Sequence, residues 1–363
     1  MVHQLWGFGS NGEGQLGEGI PVADIVGKPT LLPNQSFFQR VEQVKSGDNH
    51  TLFLIDDGSV YGAGDNRVAQ LSTESDAPPQ IKKFEKLEDH VTLCAASSTT
   101  SAFITYRAES GCAVFTQGQG RWGELGRGDM MDSTTSNDPT TVPWVDAYLS
   151  GEPVDFAAGV WHYVAVMASG AVYGWGKARL GQLGAQLHDK VTQPSKIESL
   201  PFRPVRVVCG KDFTYLVGDP STGEHKVLGR DKFNIVSDMP SHVKGYKDIG
   251  ASWHAIFVLF DDGRLAAWGK ENQWNLLPPN LPLLDRIAVG TDHILAVTTE
   301  GRLISWGWAK HGNCGDVSSL QQNIKHDMIS GFWNEVEIPG KITKIAAGYC
   351  TSFVITQVDE LDS

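Results

Sequence analysis

Hydrophobic and polar positions alternate with a period near two along most of this chain. The clearest stretch is "VEQVKSGDNHTLFLIDDGSVYGAGDN", residues 41–66, where Val41, Val44, Leu52 and Leu54 sit among polar neighbours. Side chains on a strand point to opposite faces in turn, so this period predicts half-buried β-strands. Asp56-Asp57-Gly58 between two such runs is a hairpin turn signal. The same grammar returns in "DFAAGVWHYVAVMASGAVYGWG" from Asp155, "VVCGKDFTYLV" from Val207, "DIGASWHAIFVLFDDGRLAAWG" from Asp248, "RIAVGTDHILAVTTEGRLISWG" from Arg286 and "KIAAGYCTSFVIT" from Lys344. A degenerate copy is "TLCAASSTTSAFIT" from Thr92, which brings the count to seven.

A second pattern threads between these runs: an aromatic, a glycine, a short polar stretch, then Gly-polar-Leu-Gly. It reads "FGSNGEGQLG" at Phe8, "AGDNRVAQL" at Ala63, "QGQGRWGELG" at Gln117 and "WGKARLGQLG" at Trp175. Worn copies stand at "LGRDKFN" (Leu228), "WGKENQWNLL" (Trp268) and "WGWAKHGNCG" (Trp306). Helical periodicity is weak throughout. The one candidate, Ser318–Phe332, reads as a loop or short helix inserted in the last unit. Short strands, glycine turns and one aromatic-glycine motif per unit, repeated at intervals of roughly 40–55 residues, predict a seven-bladed β-propeller. A small antiparallel sheet cannot bury both faces alone, and stacking around an axis buries them. Residues 1–358 read as one such domain, followed by a short acidic tail, 359–363. The strand "HQLWGFG" precedes the first motif, and the last repeat lacks a motif after it. Pairing the first strand into the last blade closes the ring and removes an open edge.

Composition narrows the function. The 363 residues carry 30 Lys and Arg against 42 Asp and Glu, a formal net charge of -12. Such a chain repels phosphate backbones and anionic membranes unless its basic residues cluster. The densest basic stretch, "QIKKFEK" from Gln80, reads as an exposed strand edge. Five scattered cysteines without a C-x-x-C pair read as reduced, buried thiols of a cytoplasmic or nuclear protein. No apolar run approaches the roughly 18 residues of a membrane helix.

The repeated motif resembles the regulator of chromosome condensation (RCC) repeat family, whose fold is a seven-bladed propeller. The resemblance runs from about Leu5 to Thr356. A narrower one, carried by "FGSNGEGQLG", "GDNHTLFLIDDGSVYGAGDNR", "GKDF" and "WGWAKHGNCG", is to the family's killer-toxin-insensitivity and alpha-tubulin-suppressor branch. That branch is nearly all propeller. The resemblance implies a non-enzymatic heterodimer with a small zinc-binding CSL-type protein of the diphthamide pathway. Through it the propeller would support Elongator-dependent wobble-uridine modification of tRNA and diphthamide formation on elongation factor two. The partner would carry the metal. The family's founding member is a guanine-nucleotide exchange factor for a small GTPase, which stays open as a reading, as does another RCC-repeat scaffold.

Catalytic and cofactor chemistry finds little support. "GFGSNG" meets G-x-G-x-x-G as a string, but a dinucleotide site needs a helix after it and occurs once, whereas this turn recurs in every unit. There is no G-x-S-x-G elbow, and Asp56-Asp57 and Asp261-Asp262 both precede a hairpin glycine. His50, His162, His254 and His293 occupy one repeat position in four units. They are expected to be buried imidazoles bonding a neighbouring blade's backbone. His311 and Cys314 fall short of the three or four ligands that zinc takes. No catalytic residue, cofactor or metal is expected. Loops that depart from the repeat remain as partner-binding candidates: Trp161, Trp253 with His254, and Lys211, Asp212 and Phe213. Arg67, Trp308, Lys310 and His311 join them from the glycine motifs.

Overall fold

The structure is a computed structural model describing residues 2–359 except 21–22, 34–36, 73, 75, 110, 129–143, 146–150 and 271–274; the tail residues 360–363 lie outside the described residues. Seven antiparallel sheets succeed one another along the chain. Blade 1 is built of Val41–Ser46, His50–Ile55, Val60–Asp65 and Gln80–Glu88, in that order from the axis outward. Blades 2, 3 and 6 repeat the four-stranded plan over 93–145, 153–196 and 284–336. Blades 4 (206–228) and 5 (246–269) have three strands among the described residues. In blade 7 the order is Ile25–Leu31, Val2–Ser10, Thr351–Val358, Lys341–Ala347, so the first strand of the chain lies beside the last. The predicted propeller and its closure are therefore observed. The stretch after Gly9 turns into a strand rather than a helix. Met328–Phe332, expected as loop or helix, forms part of the fourth strand of blade 6, which runs Met328–Val336; only Ser318–Leu320 makes a helical turn.

Stacking explains where the simple alternation gives out. The second strands, such as His162–Met167 and His293–Thr298, are buried at every position, because a neighbouring blade covers each face. The outer strand Gln80–Glu88 keeps its exposed charges. Phe156, Tyr163 and Trp175 stack through blade 3 with centroids 5.3–5.7 Å apart. The motif tryptophans clamp neighbours: Trp175, Trp268 and Trp306 donate their indole N–H to the carbonyls of Glu124, Ile235 and Leu276 in the preceding unit, at 2.9, 3.1 and 2.9 Å. The inner strands line a central channel of about 330 Å³.

The repeat histidines tie blades together by a relay rather than by a direct bond to backbone. Nε2 of His50 lies 3.1 Å from Ser101 Oγ, that of His162 3.0 Å from Thr214 Oγ1, and that of His293 3.0 Å from Ser352 Oγ, each in the next blade. Each hydroxyl already donates to a carbonyl, of Gln70, Gln182 or Asn313, at 2.7 Å. It therefore accepts from the histidine, which fixes the Nε2–H tautomer. His254 does not belong to this set. The bond Ser252 N→Ala255 O matches Gly159 N→His162 O, so Ala255 holds the repeat position and His254 stands one residue earlier, in the loop. Phe213 holds it in blade 4, through Gly210 N→Phe213 O.

Burial pushes His50 and His162 down to about 4 and His293 to about 3. Between pH 6.5 and 4 the unfolded chain binds the protons that the folded chain refuses. Stability therefore falls as pH drops through that window, by up to about 1.4 kcal/mol per unit for each histidine. Urea unfolding at pH 7 and pH 5 is expected to show a loss of at least about 3 kcal/mol; an unchanged midpoint would count against the relay.

Candidate interaction face

In each antiparallel blade, the loop joining strands one and two and the segment leaving strand three emerge at the same end of the sheet. The register His50↔Gly64, His162↔Gly176 and His293↔Gly307 sets them side by side. Trp161, Lys211, Asp212, Trp253 and His254 come from the first kind of loop, and Arg67, Trp308, Lys310 and His311 from the second. All nine thus belong to one face of the propeller.

The channel mouth is its centre. Backbone bonds run Asp48 N→Ser98 O, Ser98 N→Val160 O, Lys211 N→Trp253 O and Trp253 N→Thr291 O, carrying the loops from blade to blade at 2.9–3.2 Å. The Trp253 indole meets the ring of Tyr349 edge-on at 5.9 Å, reaching from blade 5 to blade 7. Around them lies an arc of cations over aromatic rings. Lys177 Nζ sits 4.2 Å from the Trp161 ring centroid and 5.7 Å from that of Trp122, and donates to Asp212 Oδ1 at 3.0 Å. The Arg179 guanidinium lies 4.7 Å from Trp122. Lys211 stands 4.9 Å from Trp253 and 5.7 Å from Trp161. Lys232 and Lys270 each lie 5.1 Å from Phe233, whose ring meets His254 edge-on at 5.2 Å. Each cation over a ring face gains about 0.5–2 kcal/mol, more where water is excluded.

Two titrating groups face this arc. Burial pushes Asp292 up to about 6, against the pull of Lys270 and Lys211. Burial, then Lys270, Lys232 and Lys211, pushes His254 down to about 4, against Asp212, so it is neutral at pH 7.

The structure brings Trp161, Lys211, Asp212, Trp253 and His254 together in the arc, and the remaining candidates sit around or away from it. Phe213 is buried at 5% exposure and belongs to the core, which removes it as a contact residue. Arg67 is engaged by Asp65 and Glu13 across the junction of blades 1 and 7, away from Trp253. Trp308 and His311 pack edge-on at 4.9 Å on blade 6, and Trp308 N donates to the carbonyl of Asp292, which joins them to the rim. Cys314 is fully buried, whereas His311 is half-buried. No group of three or more His, Cys, Asp or Glu among the described residues could hold a metal. Missed were Trp122, Lys177, Arg179, Lys232, Phe233 and Lys270. Arg179 follows its motif glycine by three residues as Arg67 does, and Lys177 and Lys270 each follow theirs by one, so the motif slots held a signal.

A ring of seven small sheets with a decorated loop face defines an RCC1-type β-propeller. The regulator of chromosome condensation (RCC1) repeat matches residues 3–54 and 169–217, and a second form of that repeat matches 41–70, 154–182 and 285–313. The chain carries this repeat in those segments. It is 27% identical to an RCC1 repeat-containing protein of Schizosaccharomyces pombe, over 97% of this chain and 99% of the relative. Human WBSCR16 shares the fold with a TM-score of 0.80 at 18% identity, covering 98% of this chain and 100% of its own. Prp20p of Saccharomyces cerevisiae, whose structure was described with its binding to Gsp1p and histones, gives 0.75 at 19% identity, covering 99% and 93%.

Proposed function

We propose that the protein is a non-enzymatic interaction module whose rim from Trp122 to Trp308 docks a protein partner. We further propose that the partner is a small zinc-binding CSL-type protein of the diphthamide pathway, through which the propeller supports diphthamide synthesis and Elongator-dependent tRNA modification in the cytoplasm and nucleus. The observation that carries the docking reading is the set of half-buried Trp122, Trp161 and Trp253, gathered on one face beneath cations. Tryptophan is among the residues enriched where binding energy concentrates at an interface. The particular partner is supported by the narrower sequence resemblance, which includes the string "WGWAKHGNCG" on this same face.

Co-purification with the zinc protein tests it, and a 1:1 complex is expected. Absence of a complex ends the reading. Faster nucleotide release from any of a panel of small GTPases would replace it with an exchange function. Trp161→Ala is expected to weaken the complex by about 10–100-fold while moving the thermal midpoint by only a few degrees, because Trp161 lies in a loop rather than in the inter-blade core. A large fall in the midpoint with unchanged affinity would assign Trp161 to the scaffold instead.

A further inference from the structure

The cations of this face are unevenly balanced. Lys177 is paired with Asp212 at 3.0 Å and Arg179 with Asp189 at 3.3 Å. Among the described residues, no ion pair within 4.0 Å is formed by Lys211, Lys232 or Lys270. These three converge. Lys232 and Lys270 both lie over Phe233, Phe233 meets His254 edge-on, and Lys211 lies over Trp253. In a chain of net charge -12, three ammonium groups around one imidazole without an ion pair within 4.0 Å run against the composition. Phe233 is unusual too. It holds φ +62 with Asn234 at +58, a conformation that costs a non-glycine residue about 1–2 kcal/mol, and the residue stays 38% exposed. Asp231 Oδ1, accepting the Val236 and Ser237 N–H groups at 2.8 and 3.1 Å, holds the loop in that conformation and leaves Phe233 presented outward.

We infer that Lys211, Lys232 and Lys270 around His254 form a binding site for the carboxylates of an acidic segment of the docked protein, with Phe233 and Trp253 as its apolar walls. This rests on the docking reading above and adds the chemistry of what is docked. Three ammonium groups suit two or three carboxylates of an extended segment, and the rings beside them suit an aromatic or aliphatic side chain between the acids. A nucleic acid would bring phosphates to the same spot, but its long run of charge would meet the acidic remainder of the surface. A short acidic segment confines its charge to the cluster.

Neighbouring groups give the site a pH response. Asp292 faces Lys211 and Lys270, and Asp212 faces His254 while held by Lys177. Asp48 acts on Lys211 from across the channel mouth. Lowering the pH from 7 to 5.5 protonates much of Asp292, removes a competing negative charge and leaves His254 neutral. Binding of an acidic segment then tightens by about 3-fold.

The probe is a fluorescein-labelled peptide of glutamates interrupted by a single tyrosine, titrated by anisotropy in parallel with inorganic phosphate and a single-stranded oligonucleotide. The peptide is expected to bind, and to weaken by about 10-fold or more between 50 and 300 mM salt. It is expected to lose about 30-fold or more in a K211E/K232E/K270E variant, with the glutamine variants intermediate. K232E/K270E alone, altering lysines outside the channel mouth, keeps the test available if the triple variant does not fold. Peptide affinity indifferent to charge reversal, or an oligonucleotide that binds more tightly than the peptide, overturns the inference. The zinc-protein complex is measured on the same variants. If it forms and ignores the reversal, the cluster is wrong and the docking reading stands; if it never forms while the peptide binds, the partner is wrong and the cluster stands.

Discussion

Deleting residues 1–10 is expected to abolish the cooperative fold, not merely to trim it. The strand Val2–Ser10 is paired along both edges. Its register with the last strand runs without a break from Val2↔Val358 to Gly9↔Thr351, and on its other side Trp6↔Leu31 to Ser10↔Ile25 hold the outer strand. Leu5 and Phe8 are fully buried, and each contributes about 1.5–3 kcal/mol by leaving water. Without the strand, Phe353 and Val354 lose cover and the outer strand of blade 7 has nothing to pair with. The combined loss is comparable to the about 5–15 kcal/mol that keeps a typical domain folded. Near-UV circular dichroism and thermal melting of the truncated chain check this, and adding a synthetic peptide of residues 1–12 is expected to restore part of the signal. A truncated protein with a native melting curve would mean that the ring is held by its other six junctions.

Gly176→Ala is expected to cost about 3–5 kcal/mol. Gly176 sits opposite His162 at φ +98, and a Cβ there would lie 2.4 Å from the Trp161 carbonyl oxygen and 2.8 Å from His162 Cα. Backbone on both sides has nowhere to move without breaking the pair that places Trp161. Gly301→Ala is the control. It has φ +84 but nothing within 4 Å of an added Cβ, so only the conformational penalty of about 1–2 kcal/mol applies. Urea unfolding of the two variants should separate them by about 2 kcal/mol or more; equal losses would mean that the close approach is relieved by a small shift of the loop.

These two glycines show what was legible in the chain and why. A turn that every blade must make leaves the same residue at the same place, so the motif announces seven units even where it is worn. The worn copies carry information of their own. In "WGKARLGQLG" the Gln182 side chain accepts the Leu180 N–H at 2.9 Å and Leu183 is buried, which braces the loop that leads into the fourth strand of blade 3. "LGRDKFN" and "WGKENQWNLL" lack that Gly-Gln-Leu-Gly brace, and these are the blades that have three strands among the described residues. His254 misled because "SWHA" has the look of "VWHY". The bond from Ser252 to Ala255 and the register Ala255↔Gly269 reveal the one-residue offset. The face itself was half visible. Loop tryptophans stand out in a sequence, but their cations come from other loops and from neighbouring blades. Trp122 meets Lys177 across 55 positions of chain, and no spacing rule joins residues that are brought together by the curvature of a ring.

The pairing of the first strand with the last sets a schedule as well as a shape. At about 5–20 residues per second, the partner strand Thr351–Val358 leaves the ribosome some 20–70 s after Val2–Ser10. For that interval Leu5 and Phe8 have no place to be buried, and six blades stack without a seal. The ring therefore closes only once Thr351–Val358 has emerged, and until then the nascent chain carries an open strand edge and a half-sheltered apolar strand.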